Sequence, residues 1–313
     1  MKIRAIAEIC GYQFCGADRD IGAITFAGNA SADSLAIIHT KREVFTTKAG
    51  SILTEPRVVI TDKSILMVSE PLDVAAVKVA LLLAQNGEVK LYGRSDYNIV
   101  NGYFVADNVV IGEKTVISPN VFIDEDVKIG KHCIIDPNVF IRGGCVIGDN
   151  VHISSGSVIG ADAFCHYFDE KIKTFPGIGK AIIGDHAEIG YHTVIQRGTF
   201  SDTVVGEESK IGNFVDIGHD VRIGSNCKIV SQTGIAGHAS IGDCVTIYGQ
   251  AGIGNYVTVG DRAVVMAQSR VTKNVQVGRK VSGSFAREHG EELRRQVKIN
   301  RLCEGEKKWE ELP

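Results

Sequence analysis

Residues 105–164 read VADNVV, IGEKTV, ISPNVF, IDEDVK, IGKHCI, IDPNVF, IRGGCV, IGDNVH, ISSGSV and IGADAF, ten six-residue units in unbroken succession. Three more units occupy 183–200 and thirteen occupy 205–282, giving 26. Every unit opens on Ile or Val, and every fifth position holds Val, Thr, Cys, Ser or Ala. Fourteen of the second positions are Gly, which accounts for much of the glycine in the chain. A fixed period of this kind is the mark of a solenoid. A branched apolar side chain pointing inward from the first position, and a small one filling a corner at the fifth, specify a parallel β-helix with three flat faces. Three units then make one coil of about 18 residues, stacked at about the 4.8 Å of neighbouring strands. The second-position glycines are expected to supply the backbone conformation of a turn. Every internal strand pairs above and below, so only the two ends expose edges.

Two interruptions break the register, at 165–182 and 201–204. An excursion from a uniform solenoid is the usual place for function, because its loops project from an otherwise regular prism. Upstream, residues 1–100 lack the repeat. Short apolar runs at Ala23–Ala27, Leu35–Ile38, Arg57–Ile60 and Ile65–Val68 alternate with turn-rich pieces. A helical pattern from about Pro71 to Gln85 places Leu72, Ala75, Val79 and Leu82 on one face and stops at Asn86-Gly87. The reading is a small α/β domain over 1–100, the β-helix over 101–282 with Lys90–Tyr103 as the connection, and a charged helical extension over 283–313.

The 313 residues carry 34 basic and 37 acidic side chains, a near-neutral balance that gives no footprint for nucleic acid. No run approaches the ~18 apolar residues of a membrane span, and the start MKIRAIAEICGY lacks a secretory core, so a cytoplasmic protein is expected. The eight cysteines show no C-x-x-C spacing, which favours reduced packing thiols over disulfides or a metal site. Cys133, Cys145 and Cys227 fall on fifth positions and are expected in the core.

A prism of apolar residues offers few reactive groups, so histidines are the first candidates. His132, His152, His186 and His192 occupy outward positions of separate units, while His39 and His289 lie outside the prism. His219 and His238 differ: their units start at Ile217 and Ile235, one coil apart on one face. Extending that strip brings in Gln196, Arg197, Asp220, Asn255 and Tyr256. The chain carries no P-loop, no dinucleotide fingerprint and no metal-ligand spacing. A general-base histidine with backbone amides as oxyanion donors fits direct acyl transfer without a covalent intermediate.

Several segments carry a resemblance: GAITF at 22–26, SGSVIGADAF at 155–164, GIGKAIIGDHAEIG at 177–190, TVIQRGTFSDTVVG at 193–206 and DIGHDVRIGSN at 216–226. With them the chain resembles the UDP-3-O-acylglucosamine N-acyltransferase family of lipid A biosynthesis, left-handed β-helix enzymes built from hexapeptide repeats. That family has a small N-terminal nucleotide-binding domain, the β-helix and a helical tail, in this order. Its catalytic histidine motif falls on Ile217-Gly218-His219-Asp220. The resemblance implies that His219 takes the proton of a glucosamine amine as it attacks an acyl thioester, with backbone amides near Gly237 holding the oxyanion. It implies a 3-hydroxyacyl group delivered by acyl carrier protein on its phosphopantetheine arm, with no other cofactor and no metal, and a homotrimer with sites between subunits.

Phe26, Asn29, Gln196, Arg197, His238, Asn255 and Tyr256 are then the substrate-binding candidates. Arg294, Arg295 and Lys298 in the tail are the candidates for docking the acidic carrier protein. Gln196 stands where the family has an acid, Tyr256 where it has a second histidine, and GNAS at 28–31 where its uridine site reads N-P-K-Y. A hexapeptide acyltransferase acting on another nucleotide-linked amino sugar, with acyl-CoA as a possible donor, is the alternative. A non-enzymatic prism is the third reading.

Overall fold

The computed structural model describes residues 1–56, 62–93, 95–175, 177–283 and 289–307. The apolar run Arg57–Ile60 lies outside the described residues, as does the side chain of Cys303. The repeat folds as the periodicity predicts as far as Val271. In the last two units the register slips by two residues, so that Val275 pairs with Val259 and Val281 with Val265, and Val277, a first-position residue, is exposed. Two-residue strands such as Lys210–Ile211, Asp216–Ile217 and Arg222–Ile223 turn a sixth-position side chain outward and a first-position side chain inward. The strands of the repeat stack in parallel into three sheets of ten, eight and nine, units three apart in sequence being neighbours, and Asn98–Val100 closes the ten-stranded sheet antiparallel to Tyr103–Val105. Ile217 thus pairs with Ile235, Ile235 with Ile253 and Ile253 with Val271. One core runs from Val121 to Val275, made of first-position Ile and Val and the small fifth-position residues, Cys133, Cys145 and Cys227 included. The seven described cysteines are all free thiols.

The glycines hold a different office from the one expected. The turn conformation belongs to the fourth position, where Asn108, Asn120, Asp126, His132, Asp220, His238 and Tyr256 all have φ between 56° and 61°. Asn and Asp tolerate this region best because their short polar side chains bond locally. Most second-position glycines have ordinary φ and are required instead by the next coil: a Cβ on Gly112 would lie 2.5 Å from the carbonyl carbon of Gly130. Second-position residues therefore set how closely coils approach.

The N-terminal domain is a five-stranded sheet of order β1-β5-β4-β3-β2, with β1 (Gln13–Cys15), β2 (Ala23–Phe26), β3 (Ser34–Ile38), β4 (Ser51–Thr54) and β5 (Ser64–Met67). Strands β2 to β5 run parallel and β1 is antiparallel to β5. The helices α1 (Ile3–Cys10) and α3 (Leu72–Gln85) contribute to one core, and the short α2 (Lys41–Thr46) supplies Val44 to another. Helix α3 is buried on more of its circumference than one stripe would give, and Leu83 rather than Leu82 takes the fully buried place.

The excursion is a clamp between the two bodies. It forms a hairpin of His166–Asp169 against Lys171–Thr174, and Phe175, 2% exposed, enters the N-terminal core. Phe200, beside the second interruption, meets Phe175 at 4.6 Å between ring centres. The connection is pinned as well: Lys90 pairs with Glu125 at 2.8 Å and Asp126 at 2.5 Å. The tail helix α4 (His289–Lys307) follows the last coil.

Candidate active site

His219 is the third residue of its unit and Asp220 the fourth, so one turn of one coil presents both. The imidazole Nδ1 lies 2.9 Å from Asp220 Oδ2. Asp220 is buried, and its carboxylate is saturated. Oδ2 also accepts from the Thr199 amide at 2.9 Å and the Thr199 hydroxyl at 2.6 Å, while Oδ1 accepts from the Ser201 amide at 3.0 Å and the Ser201 hydroxyl at 2.7 Å. The second interruption thus wraps the carboxylate. Burial pushes Asp220 upward, but the His219 and Thr199 hydrogen bonds and the nearby His238 overcome it and hold the carboxyl below its usual range. A charged Asp220 fixes Nδ1 as the protonated nitrogen and leaves Nε2 with a free lone pair.

One coil above, His238 crosses the His219 ring edge-on at 5.0 Å between centres. It lies in an aromatic sandwich, stacked on Tyr256 at 4.5 Å and edge-on to Phe26 at 4.8 Å. Burial, with His219 and His39 adding to it against the pull of Asp220 and Asp73, keeps His238 below the ordinary histidine value. Between the two imidazoles sits Gly237, whose hypothetical Cβ would be 2.7 Å from the His219 ring. Only a residue without a side chain lets His219 lie there.

Gly237 has a second effect. In several other coils the third-position amide is capped by the third-position side chain of the next coil: Lys131 by Asp149, Asn213 by Ser231, Ser225 by Asp243 and Asp243 by Asp261. The corresponding residue above His219 is Gly237, which has no side chain to offer.

His219, His238, Asn255 and Tyr256 line one pocket of about 160 Å³. Its other walls come from far away in sequence: Phe26 and His39 at the ends of β2 and β3, Asp73 in the first turn of α3, and Cys165, His166 and Tyr167 of the hairpin. Through Phe26, His39, His238 and Tyr256 it adjoins a crevice of about 380 Å³ that Asn29, Glu43 and Arg222 also line. That crevice opens at the carboxyl ends of parallel strands, where open α/β sheets bind ligands.

Two of the strip residues go elsewhere. Arg197 is buried and spends its guanidinium on the carbonyls of Gly160 at 3.3 Å and Gly143 at 2.7 Å, stacked over Tyr92 at 5.1 Å. It fastens the connection to the prism and does not reach the pocket. Gln196 bonds the Phe164 amide at 3.0 Å and Asp216 at 3.4 Å, also outside the pocket. Both lie on the expected face, one coil before His219, since Ile195 pairs with Ile217, but their side chains bond elsewhere. Arg294, Arg295 and Lys298 stand exposed on α4. Sequence reasoning missed His39, Asp73, Cys165, His166 and Tyr167; no periodicity links them to His219. Aspartate and both histidines could in principle converge on a cation, since His219, Asp220 and His238 offer ligand atoms within 4.8 Å of one another. The donor set does not suit one, because both oxygens of Asp220 are already taken by hydroxyl, amide and imidazole donors.

The chain is similar to known proteins over parts of its length. Residues 117–208 match the family model described as GMPPB C-terminal domain, and 202–237 match that of bacterial transferase hexapeptide (six repeats). A stretch of 60 residues is 57% identical to a UDP-3-O-acylglucosamine N-acyltransferase of Rhizobium meliloti (strain 1021), covering 19% of this chain and 17% of that one. The enzyme of the same name from Methylobacterium sp. (strain 4-46) is 44% identical over 70 residues, 22% of this chain and 20% of its own. The matched stretches thus span about a fifth or less of these curated relatives. Among solved structures, a UDP-N-acetylglucosamine acyltransferase from Bacteroides fragilis 9343 superposes with a TM-score of 0.52 at 29% identity, over 57% of this chain and 68% of that one. One of that name from Campylobacter jejuni, at 22% identity and a TM-score of 0.51, shares the fold. The chain is therefore a hexapeptide-repeat β-helix protein, similar in sequence to N-acyltransferases of UDP-3-O-acylglucosamine and in fold to UDP-N-acetylglucosamine acyltransferases.

Proposed function

We propose that the protein is an N-acyltransferase that moves a 3-hydroxyacyl group from acyl carrier protein to the 2-amine of a UDP-3-O-acylglucosamine, in the manner of lipid A biosynthesis. The observation that carries this reading is the His219–Asp220 pair opening into a pocket roofed by a second domain. In the reaction, the amine nitrogen attacks the thioester carbonyl carbon while Nε2 of His219 takes its proton. The new C–N bond forms, the C–S bond breaks, and the imidazolium returns the proton to the departing thiolate. The products are an amide and a free pantetheine thiol, so the reaction needs nothing beyond the arm that the donor brings. Asp220 stays charged and stabilises the imidazolium, as an orienting carboxylate does. The amides of His219 and Gly237 are the donors for the oxyanion. Phe26 and Asn29 hold the nucleotide end of the acceptor in the adjoining crevice, with His238, Asn255 and Tyr256 around the sugar. Arg294, Arg295 and Lys298 meet the acidic carrier, and the working form is a cytoplasmic homotrimer.

His219→Ala is expected to lower kcat by about 10²–10⁴ while leaving the fold intact. Retained turnover in that variant overturns the reading. A second reading, transfer to another nucleotide-linked amino sugar from acyl-CoA, is favoured by GNAS at 28–31 in place of the family's uridine motif. Turnover measured across UDP- and dTDP-linked amino sugars, each with carrier-bound and CoA-bound donors, separates the two.

A further inference from the structure

The prism supplies a base, a partner histidine and open amides, but nothing that distinguishes an amine from a hydroxyl as the acceptor. The N-terminal domain supplies a carboxylate. Asp73 lies in the first turn of α3, and it lines the same pocket as His219 and His238. Its side chain is exposed, and no hydrogen-bond or ion-pair partner is found for it among the described residues. An acid in the first turn of a helix favours the local dipole wherever it points; this one borders the pocket.

We propose that Asp73 is the specificity residue for a cationic acceptor, holding the ammonium of the amino sugar at the mouth of the pocket before His219 acts. This inference rests on the N-acyltransferase reading. Its physical ground is that Asp73 brings an unpaired negative charge to a pocket otherwise lined by imidazoles, aromatic rings, a thiol and amides. The charge is felt across the pocket. The Tyr256 phenol is pushed up by burial first and by Asp73 next, and the Cys165 thiol is pushed up by burial, Asp220 and Asp73.

An amine beside electron-withdrawing oxygens, like an α-amino group, is largely protonated below about pH 7. It would arrive as an ammonium, which a carboxylate attracts and a hydroxyl-bearing analogue cannot exploit. The ammonium releases one proton to water before attack, and the neutral amine then follows the transfer already described. Tyr256, His238, His219 and Asp220 of the prism face this corner. Cys165, His166 and Tyr167 of the excursion, His39 after β3, Glu43 of α2 and Arg222 of the prism complete its titratable surroundings.

The test compares wild type, Asp73→Asn and Asp73→Glu with UDP-3-O-acylglucosamine and with the same sugar bearing a hydroxyl at the reacting carbon. Asp73→Asn is expected to raise KM for the amine roughly tenfold near pH 7, the size of one charge-assisted contact, with kcat changed less than about threefold. The increase shrinks as the pH passes above the amine's own pKa, because only the cation senses the charge. Binding of the hydroxyl analogue, read by competition, is unchanged, and Asp73→Glu restores part of the loss. An unaltered KM in Asp73→Asn overturns the assignment while leaving the N-acyltransferase reading intact, as does an equal loss for both ligands at every pH. Wild-type protein that acylates no amino sugar overturns both.

Discussion

The coils from Val205 onward and the junction at 165–203 are made from the same chain by opposite rules. In the coils up to Val271 each residue's neighbours are fixed by a count of 18, and the core repeats one pattern of branched and small side chains. At the junction nothing repeats: Phe175 and Phe200 pack into the domain built by residues 3–83, and Ser201 and Thr199 turn inward to wrap Asp220. Regularity supplies rigidity, and its local failure supplies the chemistry.

Substitutions can pull these two regions apart. The largest effect is expected from Phe175→Ala, which should cost about 3–5 kcal/mol and loosen the hairpin that carries Cys165, His166 and Tyr167. Acyl transfer should fall with it while the prism's own urea transition persists; equal loss of both would show that the two bodies do not unfold separately. Next comes Ile247→Ala, in the prism core away from the pocket. It should cost about 2–5 kcal/mol at the prism transition, with turnover at low temperature unchanged, and a fall in turnover would mean that the coils transmit strain to the site.

The smallest effect is one of pH. His238 is held below its ordinary value, so as the pH falls below about 6.5 the unfolded chain takes up a proton that the folded one refuses. Stability therefore declines with falling pH through that window, and it is flat in this respect above it. Urea midpoints at pH 7.5 and 5.5 should differ less in His238→Gln than in wild type, and an identical difference would show that burial of His238 is not coupled to folding.

What could be read from the chain divides along the same line. The solenoid, its coil length, its buried cysteines and the shared face of His219 and His238 are periodic properties, and periodicity survives in one dimension. The office of the second-position glycines was misassigned because a count of residues does not say which corner turns and which one touches. Arg197 and Gln196 do fall on that strip, since Ile195 pairs with Ile217, but their side chains are spent on other partners, and register does not say where a side chain bonds. Asp73, His39 and the hairpin residues carry no signal at all, because they reach the pocket only when one domain lands on another.

The third and fourth positions of each unit make one last point. His219, Gly237 and Asn255 are third residues; Asp220, His238 and Tyr256 are fourth residues with left-handed backbone. The backbone turn tolerates many side chains there, so every coil offers an equivalent pair of sockets. His132, His186 and His192 fill fourth-position sockets too, yet stand exposed in solvent. The prism is thus a rack of interchangeable mounts, and the address of the chemistry is decided by where the covering domain comes to rest. Moving that domain's anchor by one coil would relocate the reaction chamber by about 4.8 Å and present it with a different pair of side chains, a route by which such a scaffold can change substrate without rebuilding its core.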